Sequence, residues 1–198
     1  MLANVDRSVY RVHMATRPGP RDRLLDATVE SLRRRGVHGT GLAEVLRASG
    51  TARQSIYQHF PGGKAELVAA ATRRAGAFIA SRGPADPHGH VDAVVDWWIG
   101  QLGRHDFALG CPVAAAALDE PDSPAVAAAA EVFADWSEGF ARRLVDAGAD
   151  PAAAAALGRF RVSAMEGAIM TARALRTVAP MEDLRDHLHR LVDDLLPH

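Results

Sequence analysis

Residues 50–64 read GTARQSIYQHFPGGK. Gly50 and a polar turn lead into Arg53, Gln54, Tyr57, Gln58 and His59, and the segment breaks at Pro61-Gly62-Gly63. Ile56 and Phe60 stand four apart, so one narrow apolar stripe can face a core while the hydrogen-bonding side chains point outward. Thr51 is the expected N-cap. A short helix with so little to bury is either a working surface or a merely solvated one, and the flanking segments decide which.

Upstream, Pro20 suits a first helical position and Asp22 its first turn. Leu25, Val29 and Leu32 follow at i, i+4, i+7, and Gly36 supplies the stop. A second helix begins near Thr40-Gly41, turns Leu42, Val45 and Leu46 inward, and ends at Gly50. Two short helices joined by a tight glycine-containing turn, the second one polar, form the helix-turn-helix pattern. Arg33-Arg34-Arg35 closes the first helix and complements its dipole, with a nearby phosphate as the alternative role. Residues 1–18 hold Arg7, Arg11 and Arg17 without a sustained period and read as a mobile basic tail.

Charge supports a working surface. Residues 1–64 contain 11 Lys+Arg against 5 Asp+Glu, a net of +6. Residues 65–198 contain 12 against 19, a net of −7, so the whole-chain value of −1 conceals a basic end suited to a polyanionic partner. The 198 residues suffice for a sizeable core, and 48% of them are hydrophobic. No apolar run approaches membrane-span length, and the N-terminus lacks a signal-peptide segment. Cys111 is the single cysteine, so no intramolecular disulfide and no paired-thiolate metal site is expected, and the cytoplasm is the expected location.

Beyond Lys64 the chain is alanine-rich. It reads as six further helices, which makes nine in an all-α fold without internal repeats. One spans about 64–82. The next carries Val91, Val94, Val95, Trp98 and Leu102. Pro112 starts a short helix. Ser123-Pro124 opens a long one bearing Phe133, Trp136, Phe140 and Leu144. Asp150-Pro151 opens another with Leu157, Phe160, Ala164, Ala168 and Leu175, and Pro180 leads the last, with Leu184, Leu188, Leu191 and Leu195. His88 and His90, placed in a loop, and His187 and His189, two apart on a helix, read as solvated side chains, so no metal is expected. Cys111, before Pro112, is either a thiol activated by a helix N-terminus or a small apolar residue in a capping turn.

The stretch RLLDATVESLRRRGVHGTGLAEVLRASGTARQSIYQHFPGGKAEL resembles the N-terminal pattern of the TetR family of transcriptional regulators, most specifically in Ile56-Tyr57-Gln58-His59-Phe60, Lys64 and Leu67. FPGGK, together with DFALGCPVAAAALDE in the second half, resembles the LmrA/YxaF-like subgroup. Ser31, usually apolar in the family, and Ala52, often Ser, depart from the pattern. The resemblance implies a helix-turn-helix domain at 19–66 and an effector-binding and dimerisation domain at 67–198. It implies that the third helix enters the major groove of double-stranded DNA at a pseudo-palindromic operator.

On that reading Arg53 and Gln54 reach base edges, while Tyr57, His59, Thr40 and Lys64 meet phosphates. Gly41, Thr51, Ser55 and Gln58 complete the DNA-facing set. Candidate effector contacts are Trp97, Trp98, Phe107, Cys111, Phe133, Trp136, Phe140, Phe160, Met165 and Met170. Candidate dimer contacts are Leu157, Ala164, Ala168, Leu175, Leu184, Leu188, Leu191 and Leu195, with Gly158, Gly167 and Ala168 allowing close helix approach. The expected protein is a homodimeric repressor released by an apolar or cationic-aromatic small molecule, without a cofactor. The alternatives are a DNA-binding helical protein without an effector and, further off, an all-helical enzyme.

Overall fold

A computed structural model describes residues 18–197, and these form nine α-helices with no strand among them. α1 (Pro20–Arg35), α2 (Leu42–Ser49), α3 (Arg53–His59) and α4 (Gly63–Ala80) make the first half. α5 (Pro87–Arg104), α6 (Pro112–Ala117), α7 (Pro124–Asp146), α8 (Pro151–Leu175) and α9 (Ala179–Leu195) make the second. The expected tail lies almost wholly outside the described residues.

Proline begins most of these helices, because its fixed φ suits the first turn and its missing N–H is one the helix would leave unbonded. Asp86, Ser123 and Asp150 cap α5, α7 and α8 by accepting backbone N–H bonds from Gly89, Val126 and Ala152/Ala153. The Asp86 cap corrects one expectation. His88 and His90 lie in the first turn of α5, not in a loop, and His90 is buried. Thr51 does not cap α3. That place falls to Ala52, which offers no side-chain bond, and the Thr51 hydroxyl lies 2.7 Å from that of Ser49.

α1 packs on α2, α3, α4 and α6, with Leu24, Leu25, Val29 and Leu32 turned inward to meet Val45, Ile56 and Phe60. α4 runs on from this group and packs along α7, where Gly76 lets the helices touch; a Cβ there would sit 2.5 Å from a Val132 methyl. Trp136 Nε1 donates to the Gly76 carbonyl at 3.0 Å. α7 packs on α8 in the same close manner. A Cβ at Gly158 would meet the Ser137 carbonyl oxygen at 2.4 Å, so Gly158 serves this internal crossing instead of an outer surface. α9 closes the far side against α5 and α8.

The last two helices divide their apolar residues. Leu157 on α8 and Leu184 and Leu188 on α9 are buried inside the subunit, so they cannot cover a partner as expected. Phe160, Met170 and Leu175 are exposed, and Ala164, Ala168, Leu191 and Leu195 are half-buried.

Candidate DNA interface and the cavity behind it

α3 is held by its two apolar residues alone. Ile56 and Phe60 are fully buried, and Arg21 lies 5.5 Å over the Phe60 ring. Arg53, Gln54, Gln58 and His59 are exposed, and Tyr57 is 49% exposed, a large fraction for an aromatic ring. Ser55 and Thr51 are half-buried, and Gly41 is the exposed N-cap of α2. Gly63 takes φ +68°, a backbone that favours glycine, and its N–H bonds the Phe60 carbonyl at 2.8 Å. That turn aims α4 away from α3 and leaves Lys64, half-buried, in the first turn of α4. Thr40 differs from its expected role. It is 1% exposed, and its hydroxyl donates inward to the Gly36 carbonyl at 2.8 Å.

The arginines near α3 separate into two kinds. Arg47, Arg53 and Lys64 have no ion-pair partner among the described residues. Arg23 donates to the Ser49 carbonyl and so ties α1 to the end of α2. Arg34 pairs with Glu30, and Arg35 with Glu44. Arg33 is buried, which sequence reasoning missed. Its Nη1 donates to Gln101 of α5 at 3.0 Å, its Nε to the Gly110 carbonyl at 3.3 Å, and its guanidinium lies near the Trp97 and Trp98 rings. The Gly110 N–H returns a bond to the Arg33 carbonyl at 2.9 Å. No periodicity signals this, because a cation at a helix C-terminus is already explained by the dipole.

Gly110 belongs to the 105–111 loop, which also receives the end of α8. Arg173 reaches the Arg34 carbonyl, and Arg176 pairs with Asp106. Asp106, Phe107 and Arg176 all have positive φ, at 49°, 57° and 56°. Non-glycine residues persist in that region only where their surroundings hold them. Arg176, over the Phe107 ring at 5.8 Å, and the Asp106 pair supply the hold. Arg74 of α4 adds a second tie to α1, bonding Asp26 at 2.9 Å and Asp22 at 3.0 Å.

Behind this junction lie two cavities. One, of about 460 Å³, sits between α4, α5, α7 and α8 and is walled by Trp98, Trp136, Phe140 and Met165 together with His90, Arg143, Arg161 and Glu166. The other, of about 630 Å³, opens between α6, α7 and α8 and is lined by five alanines, by Leu118, Phe133, Val162 and Met170, and by Glu138, Arg159 and Glu166. Trp97, Phe107, Cys111 and Phe160 line neither. Trp97 packs edge-on against Phe78 and Trp98, and Phe160 points outward at 50% exposure.

Cys111 is buried beside Glu166, and burial pushes its thiol well above the ordinary value, the opposite of an activated thiolate. Burial likewise pushes the Glu166 carboxyl up to about 7. His187 is exposed, as expected, but His88 and His189 are not merely solvated. His88 and His189 lie ring to ring at 5.0 Å and pair with Asp193 and Asp92. Among the described residues no group of three or more metal-ligating side chains could hold an ion, and no helix there is long and apolar enough to cross a membrane.

Residues 24–71 match the family model for bacterial regulatory proteins of the tetR family. Residues 87–187 match the model for the C-terminal domain of LmrA/YxaF-like transcriptional regulators. The chain is 37% identical over 187 residues to the HTH-type transcriptional regulator Rv0196 of Mycobacterium tuberculosis, covering 90% of this chain and 94% of that one. It is 26% identical to the HTH-type transcriptional regulator YxaF of Bacillus subtilis, over 90% of this chain and 98% of that one. The crystal structure of the regulatory protein TetR from Rhodobacter sphaeroides superposes with a TM-score of 0.73 at 22% identity, over 86% of this chain and 97% of that one, a likeness of fold. The matches cover the helix-turn-helix and the helical second half alike, and the chain belongs to the TetR family of DNA-binding transcriptional regulators.

Proposed function

We propose that the protein is a homodimeric repressor that a small molecule releases from a pseudo-palindromic operator, with 19–66 acting as the DNA-binding domain and 67–198 as the effector and dimerisation domain. The observation that carries the reading is the double engagement of Trp98. It walls the 460 Å³ cavity and also lies under the Arg33 guanidinium at the end of α1. A ligand that shifts α5 therefore acts on the element that packs directly against α2 and α3. In the operator complex Arg53 and Gln54 read base edges, Tyr57, Gln58 and His59 flank them, and Lys64 meets phosphate. Two copies related by a two-fold axis set their α3 helices about 34–36 Å apart, one turn of DNA.

The ligand moves this equilibrium only through its different affinities for the DNA-competent and DNA-incompetent dimers, and the effect is reciprocal. The test begins with duplexes selected on the protein from a random-sequence pool. Binding weakens steeply with salt, since neutralised phosphates release counterions. Arg53→Ala costs about 1–3 kcal/mol at one base position and relaxes preference there, whereas Lys64→Ala weakens all duplexes alike. Compounds are then screened by quenching of the cavity tryptophans and retested for release of the selected duplex. Cavity binders that leave duplex affinity unchanged would overturn the effector reading in favour of a regulator without an effector.

A further inference from the structure

We infer that the cavity between α4, α5, α7 and α8 takes an organic anion, a flat aromatic or unsaturated carboxylate whose carboxylate meets Arg161 and Arg143 while its body lies against Trp98, Phe140 and Met165. The inference rests on the effector reading above and adds the charge of the ligand.

Arg161, on α8, is 5% exposed and lines the cavity. One terminal nitrogen donates to His90 Nε2 at 3.2 Å, and the guanidinium lies 4.8 Å over the Phe140 ring. Its Nε is buried without a partner. Arg143, on α7, bonds the Gly139 carbonyl through Nη1 at 2.8 Å, and its Nε is also buried and unpartnered. Among the described residues no carboxylate lies within ion-pair distance of either guanidinium. A charge removed from water needs a counter-charge or a full set of hydrogen bonds, and a ring face and an imidazole supply only part of that.

The other titratable groups of the cavity do not fill the gap. His90 accepts from Arg161, so it is neutral at that nitrogen. Burial, then Arg161 and Arg143, push its pKa down to about 4. Glu166 borders the cavity but lies five positions along α8 from Arg161, off its face, and its carboxyl holds its proton up to about pH 7. Asp135, at the rim, is exposed. Arg142, the third arginine of the lining, is paired with Glu138, so Arg161 and Arg143 are the two cations that face a partly apolar space with no anion to meet them. A carboxylate there receives charge-assisted hydrogen bonds from planar forks suited to it, and a cationic ligand meets repulsion. The volume suits a bicyclic acid.

The test uses three probes of one shape: naphthalene-2-carboxylate, naphthalene-2-carboxamide and 2-naphthylmethylammonium. Each is titrated into the full-length protein by calorimetry and by tryptophan fluorescence. The carboxylate binds about 10–100-fold more tightly than the amide, and the ammonium more weakly than both. Arg161→Met keeps the packing on Phe140 and abolishes the preference while amide binding stays. Arg143→Gln reduces the preference, and Arg161→Lys, which keeps the charge without the fork, weakens it, so the comparison survives if one variant fails to fold by circular dichroism. Amide or ammonium binding as tight as the carboxylate, a preference intact in both Arg161→Met and Arg143→Gln, or no carboxylate binding up to about millimolar concentration overturns the inference. Release of the selected duplex separates it from the effector reading. If a neutral or cationic probe binds at least as tightly as the carboxylate and releases DNA, the effector reading stands and the anion inference fails. If the carboxylate binds with the expected preference yet leaves DNA affinity unchanged, the anion inference stands and the effector reading fails.

Discussion

Ser31 sits on the inner face of α1 with its hydroxyl buried and unpartnered. A buried hydroxyl without a bond costs free energy, and serine is also a poorer helix former than alanine. Ser31→Ala is therefore expected to raise stability by about 1 kcal/mol, read as a higher urea midpoint at unchanged slope. Glu166 gives a second outcome, in pH. Burial raises its folded pKa from 4.5 to about 7, so the folded state keeps a proton that the unfolded chain has lost. Its contribution is fully present below about 4.5 and is lost as pH rises through 7, a change of about 1–3 kcal/mol once its partial exposure is discounted. His90 runs the other way. Its folded pKa of about 4 lies below the ordinary 6.5, so its contribution is present above 6.5 and lost as pH falls through 4. His105, whose folded pKa is also lowered from 6.5, slopes the same way as His90. Both slopes are common to wild type and variant, so Glu166→Gln is expected to remove the Glu166 fall, read as the difference in thermal midpoint between the two proteins across about pH 5 to 7.5. At this scale the sequence disclosed residue types but not partners. Ile56 and Phe60 were readable as the buried pair because spacing alone decides it, whereas the burial of Arg33, His90 and Arg161 depends on α5 and α8 approaching from far along the chain.

Helix boundaries were readable wherever proline, a capping side chain or glycine fixes the backbone locally, as at Pro20, Ser123 and Asp150. They are less legible where a capping residue sits inside a Gly- and Pro-rich stretch or the cap has no side-chain bond. α5 starts at Pro87 because Asp86 caps it, and α3 starts after Ala52 without any such bond. The 105–111 loop could not have been read as a junction, since its role consists of contacts to the ends of α1 and α8. Those contacts make Arg33 one element-level link between the second half and the helix-turn-helix, beside the Arg173 bond to the Arg34 carbonyl. Arg33→Met keeps an unbranched apolar stem under Trp97 and Trp98 but loses the bonds to Gln101 and Gly110. The variant is expected to bind the selected duplex and a cavity ligand each within a few-fold of wild type, while the ratio of duplex affinities with and without ligand moves toward one. Duplex titrations at zero and saturating ligand measure that ratio. An unchanged ratio would exclude Arg33 as such a link.

The basic first third proves a less direct guide than its net charge suggested. Among the described residues Arg34 and Arg35 are paired with Glu30 and Glu44, and Arg23 and Arg33 are bonded to backbone and side-chain partners, which leaves Arg21, Arg47, Arg53 and Lys64 without an ion pair. The proposed operator would engage two copies of this cation set, and the outer face of α8 is suited to join them. Phe160, Ala164, Gly167, Thr171 and Leu175 recur there every three or four residues, and a Cβ at Gly167 would meet nothing. Phe160 and Leu175 are 50% and 65% exposed, an unusual amount of large apolar surface for one stripe, with the small residues between them able to admit a second helix closely. Leu191 and Leu195 of α9 lie half-buried at the edge of the same region. The double variant Phe160→Glu/Leu175→Glu places like charges opposite one another across a two-fold axis, where each copy meets the same residues of the other. Because both side chains already face solvent in the subunit, the helical circular dichroism should persist. Light scattering should fall from about twice 21.1 kDa to the single-chain mass, and affinity for the selected two-half-site duplex should drop toward that for a half-site. A variant that scatters as a dimer would move the interface off this face of α8.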